Sequence, residues 1–132
     1  MKDLETMIKS RALTLIVARS GRVRDGLEAL LTTIPQIEIV GQVDDVPWAL
    51  RMITEHRPAL VLLDFNLLDG QVETVLRQIQ AARPGTRCTV LVDNAQQEQA
   101  AKAAGADGVL IKGFPAAALF ATVERLLAPQ ET

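Results

Sequence analysis

Apolar residues follow two rhythms along this chain. Short runs at Leu13–Val17, Ile37–Val43, Leu60–Leu63, Thr89–Val92 and Gly108–Ile111 are separated by stretches where they recur every three or four positions. The short runs predict strands, and the wider spacing predicts helices with one apolar face. Val23, Leu27, Leu30, Leu31 and Ile34 mark a first helix, stopped by Pro35. Asp44 or Asp45 caps a second, with Pro47 in its first turn and Leu50 and Ile53 leading to His56. Trp48 reads as a packing residue near its start, and His56 as a helix-end residue without ligand partners. Val72, Val75, Leu76 and Ile79 mark a third helix, closed by Pro84-Gly85. Asp93-Asn94 starts a fourth, Gln96–Ala104, which Gly105 closes. Its alanines favour helix but offer thin apolar anchorage, so it is expected to be the loosest. Leu119, Phe120, Val123, Leu126 and Leu127 form the last face.

Ile37, Ile39 and Val43 alternate with Glu38 and Gln42, which suits a strand near a sheet edge. Strands alternating with helices predict a parallel sheet covered on both faces. The expected organisation is a lead-in at 1–12, one domain at 13–128 and a tail at 129–132. Leu4, Met7 and Ile8 suit a short extra helix in the lead-in, and the segment suits disorder equally.

The stretch Ala59–Gly70, ALVLLDFNLLDG, organises the rest. Four apolar residues run into Asp64, as in a strand buried on both faces. Asp64 therefore falls at the carboxyl end of a central strand, where open α/β sheets bind ligands. The same position also suits a loop aspartate that caps a turn. The neighbouring strand ends carry Ala18-Arg19, Val92-Asp93 and Lys112.

Composition narrows the classes. The 132 residues fit one core, and the net charge of −2 gives no electrostatic footprint for nucleic acid or an anionic membrane. Cys88 is the single cysteine, sits in an apolar run without a neighbouring base, and reads as a buried small hydrophobe. No signal-like or membrane-spanning run is present, so a cytoplasmic location is expected.

The residues RPALVLLDFNLLDG around Asp64, IEIVGQVDD, and AAGADGVLIKG ending at Lys112 stand in order on successive strands. With them, from Leu13 to about Leu127, the chain resembles the receiver domain of bacterial two-component response regulators (the CheY-like superfamily). The resemblance implies a flavodoxin-like doubly wound (βα)5 three-layer sandwich, a five-stranded parallel sheet of order 2-1-3-4-5, and a signalling role in a phosphorelay rather than an enzyme. It places the phosphoacceptor at Asp64 and the phosphoryl-contact lysine at Lys112. Mg²⁺ would be held by an acidic pair after the first strand, by Asp64 and by the Asn66 carbonyl.

The acidic pair falls on Ala18 and Arg19, a methyl and a guanidinium. Mg²⁺ requires hard oxygen ligands, and a cation placed a few Å from it costs roughly several kcal/mol even at an effective dielectric of about 20. The switch Ser/Thr falls on Val92, or on Asp93 if the register slips by one, and the switch aromatic on Val109. Leu68 replaces a usual proline, and the connection from the fourth strand to its helix is about two residues short. The expectation is an atypical receiver with no bound metal, in which Arg19 pairs with Asp64 and shares Asp93 in a fork. A working phosphoacceptor, with Asp93 as a substitute ligand and Mg²⁺ as cofactor, is the alternative. A small-ligand binder or enzyme on this fold is a third, but no Gly-rich phosphate loop or base–nucleophile pair supports it. Implied partners are a sensor histidine kinase or another signalling protein, and a second copy through the last two helices and fifth strand. Neither nucleic acid nor membrane is an expected partner. The style of the motifs resembles receivers attached to DNA-binding output domains, as a stand-alone chain or as part of a longer one.

Overall fold

The computed structural model describes residues 11–128. The lead-in helix expected at Leu4, Met7 and Ile8 and the tail at 129–132 lie outside those residues. In chain order the elements are β1 (Ala12–Val17), α1 (Arg22–Leu31), β2 (Ile37–Val43), α2 (Val46–His56), β3 (Leu60–Asp64), a 3-10 turn (Phe65–Leu68), α3 (Val72–Ala82), β4 (Arg87–Val92), α4 (Ala95–Ala103), β5 (Gly108–Ile111) and α5 (Ala116–Leu127). The strands form one parallel sheet in the order β2-β1-β3-β4-β5. This is the doubly wound order expected from the sequence, with β2 at an edge.

Two-residue alternation divides the core. Leu15, Val17, Val61, Leu63, Val90 and Val92 face one layer, built with α2, α3 and α4. Ile16, Leu60, Leu62, Leu91 and Leu110 face the other, built with α1 and α5. The run Leu60–Leu63 is at most 1% exposed, because both faces of β3 are covered.

Several local expectations need correction. Helix α1 stops at Leu31, before Ile34 and Pro35. The hydroxyls of Thr32 and Thr33 donate to the carbonyls of Ala29 and Leu30 at 2.9 and 2.7 Å, offering the backbone an alternative to another turn. Trp48 is 43% exposed rather than packed, because Ala49 and Ile53 carry the inward face of α2. Asp45 does cap that helix, accepting from the Trp48 N–H at 2.7 Å. Phe120 is 38% exposed, since Leu119, Val123 and Leu126 hold the buried stripe of α5. Helix α4 buries Ala101 alone, in keeping with its thin anchorage.

Gly108 marks a close approach between layers. A Cβ there would lie 2.9 Å from Thr89 Oγ1 and 3.1 Å from Thr122 Cγ2. Gly108→Ala is therefore expected to destabilise the fold by about 1–3 kcal/mol through overpacking, read as a lower urea midpoint at unchanged slope.

Candidate functional site

Parallel strands bring their carboxyl ends to one edge. Ala18 follows β1, Asp64 ends β3, Asp93 follows β4 and Lys112 follows β5. The backbone ladder continues past the strands, from Ala18 N to Val43 O at 2.9 Å and from Lys112 N to Val92 O at 2.8 Å. These bonds hold the side chains in register.

Lys112 lies between two carboxylates. Its Nζ is 2.9 Å from Asp64 Oδ1 and 3.0 Å from Asp93 Oδ1. The Lys112 and Asp64 side chains are mostly covered, whereas that of Asp93 is 45% exposed. Asp64 also accepts from the Asn66 backbone N–H at 3.0 Å, capping the 3-10 turn. The expected turn-capping aspartate is thus observed, at the carboxyl end of β3 and in contact with Lys112. The Asn66 amide donates to Asp93 Oδ2 at 2.7 Å. Gln97 donates from Nε2 to Asn66 Oδ1 at 3.0 Å and accepts from the Asp93 N–H at 2.8 Å. Asn94 caps α4, accepting from the Gln97 N–H at 2.9 Å.

The expected fork of Arg19 on Asp64 and Asp93 is not formed; Lys112 holds that place. Arg19 is exposed and makes no ion pair among the described residues. Strand alternation explains this. Ala18 is buried in the α1–α5 layer, while Arg19 lines a groove with Asp44, Asp45 and Asp69 near the starts of α2 and α3. A different arginine reaches the end of β1: an Nη of Arg24 donates to the Ala18 carbonyl at 3.2 Å. Val92 is fully buried, and Val109 packs against the same core layer. Neither carries a polar group to the site. Gln97 and the Asn66 side chain were missed from sequence; only their proximity to strand ends hinted at them.

The charges are mutually satisfied. The Asn66 amide and then Lys112 donate to Asp93, and these bonds, helped by the Lys112 charge and opposed by desolvation, hold its carboxyl below the ordinary 3.8. Burial opposes the Lys112 ammonium, but hydrogen bonds to Asp64 and Asp93 and their charges outweigh it, holding the group above 10.5. A depressed acid stabilises the fold above its unfolded pKa and loses that contribution as pH falls through its folded one. A raised base stabilises below its unfolded pKa and loses the contribution as pH rises through its folded one. The stability difference between wild type and Asp93→Asn is thus expected to stay flat from about pH 5 to 9 and to shrink at either extreme, as thermal melts across pH would show. Elsewhere, burial and then the Asp107 charge push the Cys88 thiol up to about 12, so it is no nucleophile at neutral pH.

These donors do not fit Mg²⁺. The Asp64 oxygen at the centre is shared by an ammonium and an N–H, Asp93 is tied to Lys112 and Asn66, and the end of β1 presents a methyl and a guanidinium. Among the described residues no group of three or more His, Cys, Asp or Glu is placed to hold a metal. No helix there is long and apolar enough to cross a membrane.

The family model of the response regulator receiver domain matches residues 14–124. The DNA-binding transcriptional activator DevR/DosR of Mycobacterium tuberculosis is 33% identical over 92 residues, covering 68% of this chain and 42% of that protein. This chain therefore spans less than half of that relative's length. A LuxR-family two-component response regulator from Aurantimonas sp. SI85-9A1 superposes with a TM-score of 0.78 at 25% identity, covering 89% of this chain and 86% of that one. The receiver domain of sensor histidine kinase PA1611 from Pseudomonas aeruginosa, solved with a magnesium ion in its active-site cleft, gives a TM-score of 0.75 at 24% identity, covering 88% and 97%.

Proposed function

This chain belongs to the response regulator receiver family, and from that premise we propose that it serves two-component signalling through protein contacts, with Mg²⁺-dependent phosphoryl acceptance largely lost. The observation that carries this reading is Lys112 bridging Asp64 and Asp93 beside a β1 end without carboxylates. Phosphoryl transfer to a carboxylate requires the charge on the equatorial oxygens to be neutralised. Here Asp64 stands at the phosphoacceptor position and Lys112 at the phosphoryl-contact position. Ala18 and Arg19 stand for the acidic pair, and Val92, Asp93 and Val109 take the switch positions. A lone ammonium, already shared by two carboxylates, is a weak substitute for a dication.

The partner is a sensor histidine kinase or another signalling protein, with α4, β5 and α5 as the surface for a second copy. By likeness to a DNA-binding transcriptional activator, the output it regulates is transcription. The second reading, a working phosphoacceptor, is favoured by the retained Asp64–Lys112 contact. Incubation with acetyl phosphate and millimolar Mg²⁺ separates the two. The expected result is no phosphoryl adduct at Asp64 by mass spectrometry; stoichiometric modification there, abolished by Asp64→Asn, supports the second reading.

A further inference from the structure

Helix α4 is held differently from its neighbours. Helix α3 buries Val72, Val75, Leu76 and Ile79, and α5 buries Leu119, Val123 and Leu126, whereas α4 buries only Ala101. Its N-terminal end is fixed by polar bonds instead. The Gln97 side chain accepts from the Asp93 N–H at 2.8 Å and donates to Asn66 Oδ1 at 3.0 Å. Asn66 reaches both carboxylates that share Lys112, through its backbone N–H to Asp64 and its side chain to Asp93. An unbroken hydrogen-bonded path therefore runs from the ammonium–carboxylate cluster to the first turn of α4.

We infer that Gln97 and Asn66 couple the Asp64–Lys112–Asp93 cluster to the placement of α4. This polar bridge works where Val92 and Val109 supply no polar switch. Its use in signalling rests on the receiver reading above; the coupling itself does not. Loss of the Asp93 charge weakens the charge-assisted bond that orients the Asn66 amide, and Asn66 in turn orients Gln97. With one alanine as its apolar anchor, α4 has little else to resist the change. Coupling is reciprocal, so a protein seated on α4 alters the charge cluster in return. Gln97 and Asn66 are positioning residues here and need touch no ligand.

Amide hydrogen exchange on the unmodified, metal-free protein tests this, with the side-chain carboxyl carbons of Asp64 and Asp93 followed by NMR in the same samples. Gln97→Ala and Asp93→Asn are each expected to speed exchange across Ala95–Ala103 about tenfold while leaving Val72–Ala82 unchanged. Gln97→Ala is also expected to move the carboxyl resonance of the distant Asp64. The inference is overturned if Asp93→Asn leaves α4 exchange unaltered, or if Gln97→Ala leaves the Asp64 resonance where it was. Phosphorylation of Asp64 by acetyl phosphate, the result that would defeat the functional proposal, has no bearing on either readout.

Discussion

Replacing Ala18 and Arg19 together by aspartate is expected to raise the Mg²⁺ affinity of this protein well above that of the wild type. The double change supplies carboxylates at the end of β1, the strand next to the one that ends in Asp64, and removes one guanidinium from that edge. Ala18 is 1% exposed, so its replacement puts a carboxylate into the α1–α5 layer near Arg24. Without metal the variant should be less stable by about 1–3 kcal/mol at neutral pH, the cost of burying a poorly satisfied polar group. Arg19 is exposed, so its own replacement should cost little. Mg²⁺ should then recover stability by mass action, about 1.4 kcal/mol at ten times the dissociation constant. Thermal melts with and without Mg²⁺ read this directly. The midpoint should rise in the variant, remain still in wild type, and remain still again when Asp64→Asn is added. A variant that folds and ignores Mg²⁺ would show that the donor set is not what disables the site.

Lys112→Ala should have the next largest effect. Its Nζ is the one cation paired with Asp64 among the described residues, and the lysine side chain is only 18% exposed. Removing one partner of a mostly covered pair costs several kcal/mol in full burial; with solvent reaching this edge, about 1–3 kcal/mol is expected at neutral pH. Asp64 and Asp93, each within 3.0 Å of the same nitrogen, would then face each other without it. The loss should therefore shrink as pH falls below about 4, where Asp93 takes up a proton. Adding Asp93→Asn to Lys112→Ala should recover part of the stability. Urea unfolding at about pH 3 and pH 7 distinguishes the cases, because a loss equal at both values would mean that only packing had been removed.

Much of this arrangement was legible in the sequence because it rests on backbone periodicity. The apolar runs located the five strands, and the parallel order then carried Asp64 and Lys112 to one edge. The misreadings have local physical causes. Arg19 was expected at the carboxylates because it takes a position of the acidic pair, where the metal would sit, but its side chain lines the groove with Asp44, Asp45 and Asp69 instead. Ile34 fits the spacing of α1, yet two threonine hydroxyls end the helix earlier. Phe120 sits one position off the buried stripe of α5. The Asn66–Asp93 and Asn66–Gln97 bonds join residues 27 and 31 positions apart, and no short-range pattern announces contacts of that separation. Once the strand order is known, polar residues just past the ends of adjacent strands are the places to look for them.

The cation beside Asp64 belongs to the chain itself. The most direct test of this is a Mg²⁺ titration of the wild-type protein to about ten millimolar, followed by NMR at the Asp64 carboxyl carbon and the Lys112 ammonium nitrogen. Resonances that keep their positions, with the Lys112–Asp64 contact intact throughout, are the predicted result. Saturable movement of both with a millimolar or tighter dissociation constant would contradict it.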